Sequence, residues 1–426
     1  MQKYLRLAVK TLLSGTAKDT YLIFSSNLFS SFLAFLYTIF LVRVFSPESL
    51  GIFSSVTAFI LLTSDVLDLG ITTSLSRFYP EIKRKEGQIY AQFFINNTFI
   101  FKITITLIVS LFVVMIAPFL SQVLLKSNQY SILFLLTSIG IFALCLTSFS
   151  AAALSARKEF FPVALINISS TLIKLFLVVL LYYFNRFTLA FVTASFAVAP
   201  FFSFLLSLKF IRLKIIGMKF SYKLLKKLMS YSVFIAIARI FSAVSSRFDA
   251  LMLIPLSSAY EAGIYSAAYK IIFTYILLSG SFSMVIAPRL SSFSTIKESL
   301  PYLKKIILAV IIILSTMGIM YFIAPVFVPF ILGAKYIPAI PVFRSLLLPM
   351  ALFVSTIPSV NFLLYVAKKP QISAINTFVQ IPIILFSNFY FIPIYGRFGP
   401  VISLSFAYGF TLISSISFTI YYLKRG

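Results

Sequence analysis

Apolar runs of twenty or more residues, separated by short polar breaks, follow one another along almost the whole chain. A helix needs about 20 predominantly apolar residues, at about 1.5 Å of rise each, to cross a bilayer. The pattern predicts spans at 20–45, 50–74, 90–117, 130–154, 160–184 and 188–211, and further spans at 228–256, 263–287, 302–330, 340–366, 372–394 and 399–423. The predicted fold class is an all-α membrane protein of about 12 transmembrane helices. An even number of crossings puts both termini on one side. The first apolar run exceeds the ~7–15 residues of a cleaved signal core, so it is read as a span and not a leader.

The polar breaks set the orientation. Twenty-five Lys and Arg residues fall in the N-terminal tail, 76–89, 157–158, 209–227, 289–305, 368–369 and 424–425, against five in the opposite set: Arg43, Lys126, Arg186, Lys335 and Arg397. Basic residues are retained on the cytoplasmic side. This predicts a multi-pass protein of the cytoplasmic (inner) membrane with both termini cytoplasmic. Lys3, Arg6 and Lys10 share one helical face, as do Lys219, Lys223, Lys226 and Lys227. These stretches read as interfacial helices on anionic headgroups, or as simple positive-inside anchors.

The breaks also repeat. Ser46-Pro-Glu-Ser-Leu-Gly-Ile-Phe-Ser-Ser55 resembles Ser258-Ala-Tyr-Glu-Ala-Gly-Ile-Tyr-Ser-Ala267, and Gly51/Gly263, Ile52/Ile264, Ser54/Ser266 and Arg77/Arg289 are each 212 residues apart. One offset near half the chain length predicts two pseudo-symmetric six-helix bundles, 1–211 and 228–426, joined by a cytoplasmic basic linker, 212–227. Six crossings per half make the bundles parallel about an axis along the membrane normal, and such pairs enclose a central cavity.

Composition narrows the chemistry. The 426 residues are 60% hydrophobic and 11% charged, with a mean hydropathy of +1.04, so little chain remains for a water-soluble domain. The chain has no His and a single Cys, Cys145. Histidine acid/base chemistry, His-containing triads, an internal disulfide and a His/Cys metal site are thereby excluded, and no metal or cofactor is predicted. The formal net charge of +26 does not point to nucleic acid, because no soluble module carries it as a basic face.

Six of the 36 basic residues belong to neither set and fall within the predicted spans: Lys102, Lys174, Arg239, Arg247, Lys270 and Arg344. Each would cost about 2.5–3.5 kcal/mol against lipid, so they are expected to face a hydrated interior, with snorkelling or structural pairing as the competing reading. Polar stripes accompany them: Thr98, Lys102 and Thr106; Asn167, Ser170 and Lys174; Arg239, Ser242, Ser246 and Arg247. The intramembrane acids are Asp65, Asp68 and Asp249, with Asp65 and Asp68 read as i, i+3 neighbours on one helix. Such a base-rich chamber attracts phosphate or pyrophosphate. The acids are candidate sites for a coupling H⁺ or Na⁺, or else members of fixed ion pairs. Arg77 and Arg289, at the cytoplasmic ends of their spans, are candidates for headgroup recruitment. Pro325, Pro329, Pro341, Pro349, Pro358 and Pro382 are candidate kinks.

The segments 46–55, Asp68-Leu-Gly-Ile-Thr-Thr-Ser-Leu-Ser-Arg77, Arg247-Phe-Asp-Ala-Leu-Met-Leu253, Glu261–Lys270 and Leu332-Gly-Ala-Lys-Tyr-Ile-Pro338 together resemble the polysaccharide (Wzx-type, O-antigen and capsule) flippases of the multidrug/oligosaccharidyl-lipid/polysaccharide exporter superfamily. The resemblance implies a V-shaped cavity between two bundles that alternates between inward- and outward-facing states. It implies as substrate a polyprenyl-pyrophosphate-linked oligosaccharide in the membrane lipid, for cell-surface polysaccharide biosynthesis, with a polymerase and other polysaccharide-assembly proteins as partners. A multidrug or organic-cation antiporter of the same superfamily is the alternative, but its cavity would be lined by acids. A membrane polysaccharide polymerase would need larger loops with acid/base groups. A transporter, and not an enzyme, is expected.

Overall fold

A computed structural model of the protein describes residues 15–213, 221–293 and 295–425. Among the described residues every regular element is helical. In a bilayer this is what an apolar chain must do, because a helix satisfies its own backbone groups where no water can. The elements are α1 (Gly15–Val44), α2 (Pro47–Val66), α3 (Ile71–Met115), α4 (Ala117–Leu125), α5 (Ser131–Ala156), α6 (Phe160–Tyr183), α7 (Leu189–Ile211) and α8 (Tyr222–Leu256). They continue with α9 (Ala259–Ser291), α10 (Ile296–Leu332), α11 (Ala339–Ser355), α12 (Ile357–Asn361), α13 (Pro370–Tyr395) and α14 (Gly399–Arg425). Among the described residues nine helical runs are long and apolar enough to cross a membrane, or ten with the bent α8. Two of these, Pro47–Met115 and Pro370–Lys424, exceed the length of one crossing and are interrupted.

Three breaks differ from the sequence reading. Residues 76–89 do not form a loop: α3 runs through them and leaves helical geometry at Gly87, whose φ of 88° suits only glycine. Ile71, Leu75, Phe78 and Ile82 are buried at helical spacing while Lys83, Arg84 and Lys85 stay exposed, so an amphipathic stripe overrides the charge run. From Tyr222 onward the second basic stretch is helical, and a bend of 49° sets it off from the longer part of its helix, Ile235–Leu256. It forms the first turns of α8, where Leu224 and Leu228 are buried. The N-terminal stretch with Lys3, Arg6 and Lys10, and Lys219, lie outside the described residues. Third, the predicted span 50–74 is broken at Leu67–Gly70, with φ of 49° at Leu69 and 71° at Gly70.

The chain divides into two compact units. The first holds residues up to Phe40 with Phe59–Gln122 and Ser127–Ile240. Its core joins α3 (Phe94, Phe99), α5 (Leu146, Phe149), α6 (Ile166), α7 (Phe204) and the start of α8. Phe99 lies 5.3 Å from Phe149 and 6.2 Å from Phe204 between ring centroids. The second unit holds Leu41–Ala58, Val123–Lys126 and the chain from Phe241. One of its clusters packs Leu303, Phe362, Leu363 and Ile372 around a π-helical turn, Phe362–Val366. This turn follows the break at Thr356 and the helix-starting Pro358.

Within the second unit the repeat seen in the sequence becomes a contact. The first turns of α2 and α9 cross so closely that a Cβ on Gly51 would stand 2.0 Å from the Ala259 carbonyl oxygen, and one on Gly263 would stand 1.7 Å from that of Pro47. Both 47/259 and 51/263 are 212 apart, so each glycine admits the backbone of its counterpart's helix. Gly263→Ala is therefore expected to push the two helices apart. Overpacking costs about 1–3 kcal/mol, and the melting temperature in detergent should fall by roughly 1–3 °C. An unchanged melting temperature would contradict the crossing.

Candidate functional site

In the first unit the chemistry gathers at the break between α2 and α3. Once the helix stops at Val66, Asp68 lies in the turn and not on a helical face with Asp65; its amide donates to the Asp65 carbonyl at 3.3 Å. Asp65 is half-buried in the last turn of α2. Asp68 is 4% exposed. Its Oδ2 accepts from Thr72 Oγ1 at 2.9 Å and pairs with Arg239 Nη1 at 2.9 Å, while Oδ1 has no hydrogen-bond partner. Arg239, itself 42% exposed along its side chain, also donates from Nη2 to Thr73 Oγ1 at 3.2 Å.

The same break explains why α8 reaches these residues. Gly70 has no side chain where a Cβ would meet the Ser232 carbonyl at 2.8 Å, and the Ser74 and Ser232 hydroxyls are hydrogen-bonded at 2.6 Å. One turn on, exposed Arg77 holds its guanidinium 4.0 Å from the Tyr231 ring centroid. Lys102 closes the other side. It is fully buried, and its Nζ donates to the Leu67 carbonyl, freed by the break, at 2.7 Å. Thr98 and Thr106 of its stripe are buried beside it, so this stripe faces packed protein.

The stripe on α6 divides. Asn167 and Ser170 line a cavity of about 470 Å³ together with Asn27, Ser30, Thr147 and Ser148, whereas Lys174 Nζ stands 4.4 Å from the Phe196 ring centroid.

In the second unit Asp249 is 5% exposed. Its Oδ2 accepts from the Tyr265 hydroxyl and its Oδ1 from the Ala250 amide at 2.7 Å. Tyr265 in turn stacks on Tyr269, with centroids 5.6 Å apart. Arg247, two residues before Asp249, and Lys270, next to Tyr269, are half-buried on α8 and α9. Arg344 donates from Nε to the Tyr321 carbonyl at 2.9 Å and lies 5.0 Å from that residue's ring centroid. Arg289 is exposed, 5.3 Å from the Tyr302 ring centroid.

The sequence gives no signal for Tyr265 as the partner of Asp249. Nor does it for Arg43 and Lys335, which read only as sparse loop charges. Arg43 donates to the Ile331 and Phe330 carbonyls at 3.1 and 2.6 Å, satisfying the C-terminal end of α10, where a cation also complements the helix dipole. Lys335 returns the contact to the Val44 carbonyl at 3.1 Å.

With this geometry the chain can be set beside known proteins. The model of the polysaccharide biosynthesis protein family matches residues 16–294. No curated protein sequence matches the chain. Among solved structures, the lipid II flippase MurJ in an inward closed conformation superposes with a TM-score of 0.70 at 17% identity, covering 93% of this chain and 87% of that one. An inward-facing multidrug resistance MATE family transporter of the MOP superfamily gives 0.68 at 14% identity, covering 93% and 94%. A MOP superfamily transporter from Pyrococcus furiosus, described by the reverse polarity of its binding pocket, gives 0.61 at 13% identity, covering 96% and 97%. At these identities the likeness shows the fold alone, the one these transporters share with this chain.

Proposed function

The chain belongs to the polysaccharide biosynthesis protein family, and from that membership we propose that it is a flippase carrying a polyprenyl-pyrophosphate-linked oligosaccharide from the inner to the outer leaflet by alternating access. The observation that carries this reading is the sign of the charge inside the spans: six bases against three acids, or five against two once the Asp68–Arg239 ion pair is set aside. Bases in a low-dielectric interior favour a pyrophosphate and disfavour an organic cation.

In the proposed cycle the carrier alternates, in the cytoplasmic membrane, between a state open to the inner side and a state open to the outer side. Arg77 and Arg289 recruit the headgroup at the cytoplasmic mouth. Arg239, Arg247, Lys174 and Lys270 hold the pyrophosphate while the polyprenyl tail remains in lipid. The Asp68 carboxylate keeps the Arg239 guanidinium in place between cycles, and substrate phosphate competes for it. Exchange of H⁺ or Na⁺ at Asp65 or Asp249 resets the carrier. Rescue of surface polysaccharide in a bacterium lacking its own flippase tests the proposal; failure to rescue any of a panel of such strains, despite normal membrane levels, would count against it.

A further inference from the structure

We propose that the second unit contains a neutral saccharide subsite, a pocket that holds a sugar ring of the substrate apart from the basic side chains; this rests on the flippase reading above. A cavity of about 330 Å³ lies among α9, α11, α12, α13 and α14, at the low end of the ~300–1,000 Å³ typical of small-molecule sites. Nine of its fourteen lining residues bear hydroxyl or amide side chains and none is charged. Polar groups within apolar spans are expensive, and a cluster of them marks a pathway or a ligand.

The donors and acceptors are only partly consumed internally. Asn361 Nδ2 donates to Ser283 Oγ at 3.3 Å, Gln380 Nε2 to Thr411 Oγ1 at 2.8 Å, and Ser414 Oγ to Asn376 Oδ1 at 2.7 Å. These bonds leave Asn361 Oδ1, Gln380 Oε1 and Asn376 Nδ2 unused, and the Ser373 hydroxyl is buried without a partner. A mixed set of donors and acceptors without charge suits the vicinal hydroxyls of a pyranose, each of which both gives and takes a hydrogen bond. Phe353 also lines the pocket and offers a ring to the sugar's C–H face.

Two backbone features border the pocket. Gly280 stands in the middle of α9, where glycine costs about 0.5–1 kcal/mol against alanine, and a Cβ there would meet nothing within 4 Å. Asn361 immediately precedes the π-helical turn Phe362–Val366, a distortion frequent at functional sites. The division of labour follows from the chemistry: a pyrophosphate needs cations, whereas an uncharged sugar held by cations would leave them poorly solvated.

The test is equilibrium binding of the full-length protein in nanodiscs to undecaprenyl pyrophosphate and to the same lipid bearing glucose, galactose or N-acetylglucosamine. The wild type should bind at least one glycosylated lipid tenfold or more tighter than the bare lipid. Gly280→Leu, whose side chain enters open space, and Gln380→Leu should each erase that advantage while leaving bare-lipid affinity unchanged. Gly318→Leu, at another helical glycine with nothing within 4 Å and away from the pocket, should retain it. Equal affinity of the wild type for all four lipids overturns the subsite, as does a sugar preference that survives both Gly280→Leu and Gln380→Leu. Binding of none of them overturns the flippase reading itself.

Discussion

Replacing Arg247 and Lys270 together by alanine is expected to lower transport at least about a hundredfold while the protein still reaches the membrane at near wild-type level. A hydrogen bond to a charged group contributes about 1.5–3 kcal/mol, so two such contacts to a pyrophosphate are together worth ~3 kcal/mol or more, which is a hundredfold in affinity. Insertion should tolerate the change, because each base removed from a span lowers its insertion cost by about 2.5–3.5 kcal/mol. Both side chains are half-buried on their helices. Arg239 is a less direct probe. Removing Arg239 would leave the buried Asp68 carboxylate without its ion-pair partner, which lowers stability as well as any affinity for phosphate. The measurement is rescue of surface polysaccharide scored beside membrane abundance. Full rescue by the double variant would remove both residues from the binding site.

Lys102→Ala is expected to act through stability instead. The side chain is fully buried, and its ammonium occupies the Leu67 carbonyl exposed by the break between α2 and α3. Truncation leaves both a cavity, at about 2–5 kcal/mol, and an orphaned acceptor in an apolar span. Lys102→Met keeps most of the volume and loses only the hydrogen bond, about 1–3 kcal/mol. Melting temperatures should therefore fall in the order wild type, Met, Ala. If all three melted alike and transport alone were lost, Lys102 would instead be a substrate ligand, as its place inside a predicted span first suggested.

How much of this was legible in the sequence depends on what each feature answers to. Apolar runs and the Lys/Arg asymmetry respond to the bilayer as a solvent, which acts on each segment separately, so the all-helical membrane fold can be read residue by residue. The Gly51/Gly263 repeat was visible as similarity at a fixed offset. That the two copies touch was not, because contact depends on the crossing of helices more than 200 residues apart. The break at Asp68 carried a local signal in Leu69–Gly70, hidden within an apolar run that favoured an unbroken span.

Partners set by tertiary packing lay beyond the sequence altogether. Asp68 meets Arg239 across 171 residues, Arg43 reaches carbonyls on α10, and Tyr265 approaches Asp249 from the next helix. Polar residues of the neutral pocket, scattered over α9 to α14, each look like ordinary tolerated serines and amides until the helices bring them together.

Transbilayer movement in proteoliposomes tests the central claim most directly, with a labelled undecaprenyl-pyrophosphate-linked oligosaccharide on one side and a fluorescent organic cation as the competing cargo. The excess of bases over acids within the predicted spans predicts movement of the glycolipid at least about a hundredfold faster than in protein-free vesicles, with no uptake of the cation. Accumulation of the cation, with the glycolipid moving no faster than in protein-free vesicles, would contradict it.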